Sequence, residues 1–247
     1  MTSTDGSNGV TPRNPVPGRT APERPAPGST VPEPRLAASV ILLRDAPGGL
    51  ETFVQHRVAT MDFAAGMVVF PGGRVDAADK AGREYPDGLL DAHAQDWKLA
   101  SIGAGAGSAQ ARADAGMVLA AAQREVFEEA GLRLDAADLR PWANWVTPPD
   151  MPKRFDTYFY VARPAPGAEP RHQTTEASSS LWMPVRDILA AEEAGRLKLM
   201  PPTLFLLKEV GALGGVEAVW SAEHPIVPVH PAAGAMAAFL KGRTNRR

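Results

Sequence analysis

Residues 120–134 read AAAQREVFEEAGLRL, and the fold is best approached from them. The surrounding stretch, 116–131, is rich in Ala, Glu and Gln and stops at Gly131, which predicts a helix with a glycine at its C-terminal end. At about 100° per residue, Arg124, Glu125, Glu128 and Glu129 fall within one arc of roughly 140°. Leu119, Ala122, Val126 and Ala130 fall on the opposite side. One face is therefore built for burial, and the other carries three carboxylates and a guanidinium. An ordinary solvated face has the same composition, because like charges four residues apart cost only a few tenths of a kcal/mol. Crowded carboxylates are best tolerated around a cation that prefers hard oxygen ligands, Mg²⁺ or Mn²⁺. Such a cation bridges phosphate oxygens and lowers the pKa of bound water.

Upstream, FPGGRVDAADK at residues 70–80 places two glycines after a proline at the end of an apolar run. Gly72 and Gly73 allow backbone groups to approach a metal or substrate without Cβ interference. Taken together, the loop and the helix describe a pyrophosphate-cleaving centre interrupted in the sequence. The interruption, about 77–113, contains GAGAG at 103–107 and scattered apolar anchors, Leu89, Leu90, Trp97 and Leu99. Loops of this length are uncommon inside compact domains. Three readings are open for it: a lid, a homodimer contact, or a long surface excursion.

Further from the motif, RLAASVILLRD (35–45) and LETFVQHR (50–57) flank an Ala-Pro-Gly-Gly break and read as a hairpin. MVVF (67–70) reads as a short strand leading into the Gly-Gly turn. LRPWANWVT (139–147), FDTYFYVAR (155–163) and SSLWMPV (179–185) read as strands, and 185–196 and 202–213 as helices, the second opened by prolines. The fold class is therefore α/β, a mixed β-sheet with flanking helices. Residues 1–34 are Pro-, Gly-, Ser- and Thr-rich and too poor in large apolar groups to offset ordering entropy, so a disordered tail is expected. The domain is expected over 35–215, with a partly ordered C-terminal extension over 216–247.

Lys and Arg total 26 against 28 Asp and Glu, a net charge of −2, which offers no electrostatic case for nucleic acid or a membrane as partner. Cysteine is absent, excluding disulfides, thiolate zinc sites and cysteine nucleophiles. No apolar stretch approaches the roughly 18 residues a membrane span needs. A cytoplasmic protein with a small-molecule partner is expected.

Gly73 followed by REVFEEAGL at 124–132 resembles the Nudix box, G-x5-E-x7-R-E-U-x-E-E-x-G-U, with U a bulky apolar residue. The second half matches at every specified position. Six residues on from Gly73 stands Asp79 where the pattern has Glu, and eight back from Arg124 stands Gly116, so the box is split between them. The resemblance implies a Nudix-type α/β/α sandwich. It also implies metal binding by Glu128 and Glu129, with Glu125 either a third ligand or the base, and Arg124 holding Glu125. A further carboxylate from outside the box is often recruited. Glu176 is the candidate, and a loop-surface Glu is its plain alternative.

Arg57, Met61, Gly66 and Phe70-Pro71-Gly72-Gly73 resemble an element of coenzyme A diphosphatases, R-x3-L-x4-G-x3-F-P-G-G, with Met in place of Leu. WVTPPDMPKRFDTYFYVA (145–162), Glu176 before Trp182, and PPTLFLLKEV (201–210) are similar to the nudix-type-19 group. That group implies hydrolysis of CoA or acyl-CoA to phosphopantetheine, or its acyl form, and 3′,5′-ADP. Arg57, Gly72, Gly73 and Arg74 are then candidates to hold substrate phosphates, although Arg57 also suits a strand-end charge. Arg154 is a candidate for the 3′-phosphate, with capping of a sheet edge as the plainer role. Trp142, Trp145, Phe155 and Tyr158 are either adenine-stacking groups or core. The chain ends in Asn245-Arg246-Arg247, not an SKL-like address, so a peroxisomal location is not carried over. ADP-ribose, NADH and dinucleoside polyphosphates remain alternative substrates, and a non-catalytic nucleotide-binding module the alternative class.

Overall fold

The computed structural model describes residues 31–58 and 64–244. Most of the expected tail (1–30), Met61 and the terminal Asn245–Arg247 lie outside the described residues. The architecture is a mixed seven-stranded sheet between two layers of helices. Its strands are β1 (Arg35–Ala46), β2 (Gly49–Arg57), β3 (Val68–Val69), β4 (Gly72–Arg74), β5 (Leu139–Val146), β6 (Phe155–Ala162) and β7 (Ala177–Pro184). The main order is β3-β2-β1-β6-β5, with β4 paired to β1 and β7 to β2. Only β1 and β6 run parallel; every other pairing of these strands is antiparallel.

β1 occupies the middle because its apolar run suits burial on both faces. Ala38, Val40 and Leu42 point into one core, and Ile41 and Leu43 into the other. The expected hairpin forms, with Ala46 opposite Gly49. The helices are α1 (Leu89–Asp96), α2 (Ser108–Ala130), α3 (Val185–Glu193), α4 (Pro201–Leu213), α5 (Val216–Ser221) and α6 (Ala235–Thr244). α2 lays Val118, Leu119, Ala122, Val126 and Ala130 into the first core, as its periodicity predicts. It stops at Gly131, whose φ of 64° lets the chain turn back while its N–H bonds to Phe127. α3 and α4 cover the second face, with Ile188, Leu206, Leu207 and Val210 buried there.

Two expectations are corrected. α2 begins at Ser108, well before residue 116. Its first turns, SAQARADA, lack an apolar period, and α1 packs across them with Leu90 against Gly116. Nor is 77–113 a single long loop. It holds a 3-10 turn at Ala77–Ala81, α1 and a second 3-10 turn at Trp97–Leu99. Trp97 is buried in the first core, its indole N–H 3.4 Å from the Tyr160 hydroxyl and its ring edge-on to Tyr158 and Tyr160. Leu99 stays exposed. Among the described residues no helix is long and apolar enough to cross a membrane.

Candidate active site

The interrupted motif closes in space around one guanidinium. Arg124 on α2 donates from Nε and Nη2 to the Asp79 carboxylate at 3.1 and 2.8 Å, and from Nη2 to the Arg74 carbonyl at 2.8 Å. Its Nη1 donates to Glu125 at 2.8 Å and to Glu128 at 3.1 Å. Asp79 is wholly buried, and its Oδ2 also accepts the Asp76 N–H at 2.8 Å, closing the 3-10 turn that follows β4. A shorter carboxylate than the box pattern specifies thus reaches the arginine because that turn brings it inward. The hydrogen bond that the guanidinium donates to Asp79 is the main reason it is held more firmly charged than usual.

Both glycines are dictated by close approach. A Cβ on Gly72 would stand 2.4 Å from the Ala38 carbonyl oxygen, and one on Gly73 2.4 Å from Glu125 Oε1. Glu129 Oε2 accepts the Gly72 N–H at 2.9 Å, and the Ser39 hydroxyl donates to the Pro71 carbonyl, fixing the loop from beneath. Burial pushes Glu129 up to about 7, against the Gly72 N–H that favours its charge, and the neighbouring Glu125 adds to the rise. Burial also raises Glu125, partly offset by Arg124. Glu128 is the open member, with 55% of its side chain exposed.

These carboxylates, Arg57, Arg74, Gly72, Gly73 and Glu176 line one cavity of about 700 Å³, within the usual range for small-molecule sites. Arg57 pairs with Glu176 at 3.2 Å, and the Val58 N–H donates to the Glu176 carbonyl, which ties the β7 approach to β2. The Arg57 Nε is buried and makes no hydrogen bond among the described residues. Arg154 is not part of the cavity wall. Its guanidinium donates to the Thr147 and Pro32 carbonyls, the edge-capping role, because its place just before β6 leaves those carbonyls within reach. The aromatics divide: Trp142 and Tyr158 are core, whereas Trp145 and Phe155 line the cavity. Asp156 is buried against Asn144 and Tyr158.

Among the described residues no three carboxylate or imidazole groups stand together in ligating geometry. Arg124 draws Glu125 and Glu128 to itself, and Gly72 draws Glu129. The donor chemistry nevertheless fits a hard divalent cation: three carboxylates on one helix face, Glu129 buried and Glu125 half-buried, both with raised pKa, beside a glycine that leaves Glu125 room.

A family model described as the NUDIX domain matches residues 105–202. The chain carries a NUDIX domain. The match begins just ahead of α2, so the Gly-Gly loop lies upstream of it and is joined to the matched helix through Asp79 and Arg124. A Caenorhabditis elegans protein named putative nudix hydrolase 7 is 27% identical over 176 residues, covering 70% of this chain and 59% of its own length. The chain therefore spans about three-fifths of the curated relative it matches. A NUDIX hydrolase from Alicyclobacillus acidocaldarius, known from a crystal structure, matches with a TM-score of 0.60 and 26% identity over 82% of this chain and 100% of that one.

Gln55, a buried side chain whose amide favours the charged form of Glu129, and the C-terminal residues Met236 and Phe239 also belong to the site region and were not singled out by sequence reasoning. Gln55 lies on β2 two residues before Arg57, so strand alternation from Arg57 was a signal for it.

Proposed function

We propose that the chain is a Nudix-type hydrolase that uses Mg²⁺ or Mn²⁺ to cut the pyrophosphate bond of a nucleoside diphosphate joined to another group. CoA or acyl-CoA is the foremost substrate, giving phosphopantetheine or its acyl form and 3′,5′-ADP. The observation that carries the reading is the convergence of Glu125, Glu128, Glu129, Gly72-Gly73, Arg57 and Glu176 on one cavity, although they come from four separate parts of the chain.

Glu125, Glu128 and Glu129 would hold the cation, which would supply Lewis-acid stabilisation of phosphate charge and a more acidic water. Arg124 fixes Glu125 and Glu128 by charge-assisted hydrogen bonds. Arg57 and Arg74 face the substrate's phosphates, and the bare backbone of Gly72-Gly73 lets them approach. Water oxygen bonds to one phosphorus, the bridging oxygen leaves with the other phosphate, and a carboxylate takes the proton. Glu176, oriented by Arg57, and Glu125 are the candidates for that proton. The choice of CoA is supported by the R-x3-M-x4-G-x3-FPGG element and by a cavity with room beyond a nucleotide.

The test is a substrate panel of CoA, acetyl-CoA, ADP-ribose, NADH and diadenosine polyphosphates with Mg²⁺ or Mn²⁺, products separated by mass. Release of 3′,5′-ADP from CoA is expected. Cleavage of ADP-ribose or NADH alone would remove the CoA assignment, and binding without turnover across the panel would favour a non-catalytic module.

A further inference from the structure

The cavity has two chemically different ends. Arg74 on β4, Ala37 on β1, Thr157 on β6 and Trp145 on β5 are successive cross-strand partners, and all four line it. They form one row three strand spacings long, roughly 14 Å. Every charged residue of the wall belongs to β2, β4, α2 or the segments beside β4 and β7. The part of the wall formed by β5, α4 and the C-terminal segment contributes no charge among the described residues.

The C-terminal segment is built onto that far end. Val229 bridges to Trp145, exchanging backbone hydrogen bonds of 2.9 Å with Val146 and Asn144, so it extends the sheet past β5. The Gly234 N–H then donates to Asp150 at 2.9 Å, just ahead of α6. Near its other end, Arg243 pairs with the buried Glu192 of α3 and lies 4.0 Å over the Phe239 ring. Met236, Phe239 and Arg243 form the half-buried stripe of α6, at helical spacing, while Ala237, Ala238 and Lys241 face outward. Met236 and Phe239 thereby become cavity wall. Facing the same space, Phe205 stacks on Trp145 at 5.7 Å and yet remains 47% exposed.

We propose that α6, with Trp145 and Phe205, forms an apolar subsite that takes an aliphatic chain on the half of the substrate remote from the nucleotide. A purine edge needs paired donors and acceptors. This end supplies threonine hydroxyls, of which that of Thr147 already accepts the Phe155 N–H. An aliphatic chain needs none, and the flexible thioethers of Met200 and Met236 adapt to its length. The inference rests on the functional reading above for what occupies the charged end.

The test measures, by calorimetry in EDTA, the affinities of CoA and octanoyl-CoA for the full chain and for two variants, Met236→Ala/Phe239→Ala and Met236→Glu, each checked for folding by circular dichroism. Octanoyl-CoA is expected to bind the wild type at least tenfold more tightly than CoA, and this ratio to fall below threefold in both variants. A ratio near one in the wild type overturns the proposal, as does a ratio that survives in both variants because the two affinities fall together. Parallel hydrolysis assays with Mg²⁺ separate it from the functional reading. A variant-sensitive ratio without turnover would leave the subsite and remove the CoA diphosphatase assignment. Turnover of CoA with no preference in binding would do the reverse.

Discussion

Replacing Asp79 by Ala should damage the site from beneath. The carboxylate is fully buried, receives two Arg124 nitrogens at 2.8 and 3.1 Å and caps the turn through the Asp76 N–H. Breaking one side of a buried ion pair costs about 3–5 kcal/mol. Arg124 keeps 15% of its side chain exposed and two other carboxylate partners, so the lower end applies, about 3 kcal/mol. For a chain of this size that corresponds to a fall in Tm of roughly 6–12 °C. The assay is urea unfolding of wild type, Asp79→Ala, Arg124→Ala and the double variant, closed as a cycle. A coupling of about 2 kcal/mol is expected, within the range for residues in direct contact. Additive losses, with coupling below about 0.5 kcal/mol, would refute the argument that Asp79 completes the split motif through Arg124.

Gly73→Ala should lower kcat by about 10²-fold while leaving the fold intact by circular dichroism, since the added methyl can be relieved only by displacing the Glu125 carboxylate. Trp97→Ala should cost about 3–5 kcal/mol in denaturant unfolding, the usual range for a buried aromatic; a loss under about 1 kcal/mol would mean that the inserted segment is not core. His93 is buried, and burial lowers its pKa to about 4 from 6.5. The unfolded chain therefore binds the proton more tightly. Stability contributed by the neutral ring should be complete above about pH 6.5 and decline towards pH 4, by up to about 3 kcal/mol. His93→Gln should flatten that acid limb in pH-dependent unfolding; an unchanged slope would exclude His93 as its source.

The strands and late helices were legible because their patterns are local: alternation, a Pro-Gly-Gly break, prolines opening α4. The carboxylate arc of α2 was legible for the same reason, since Arg124 to Glu129 are consecutive on one helix. The first turns of α2 were not, because they are held by α1, an element packed across them and not by any apolar period of their own. The burial of Trp97 likewise depends on Tyr158 and Tyr160, more than 60 residues on. Arg154 illustrates the opposite limit. A basic residue before a strand looks the same in sequence whether it meets a phosphate or caps backbone carbonyls, and only the positions of Pro32 and Thr147 distinguish the two. The contribution of Met236 and Phe239 was hidden because the chain must first bridge at Val229 to bring α6 over the cavity.

The most direct measurement is hydrolysis of CoA in ¹⁸O-labelled water with Mg²⁺, by wild type and by Glu128→Gln, with products resolved by mass. One labelled oxygen in the new phosphate of either phosphopantetheine or 3′,5′-ADP, with loss of turnover in the variant, is the expected result. Equal turnover by Glu128→Gln would contradict the claim that the carboxylate face of α2 is the catalytic centre, and intact CoA with the wild type would contradict the substrate assignment.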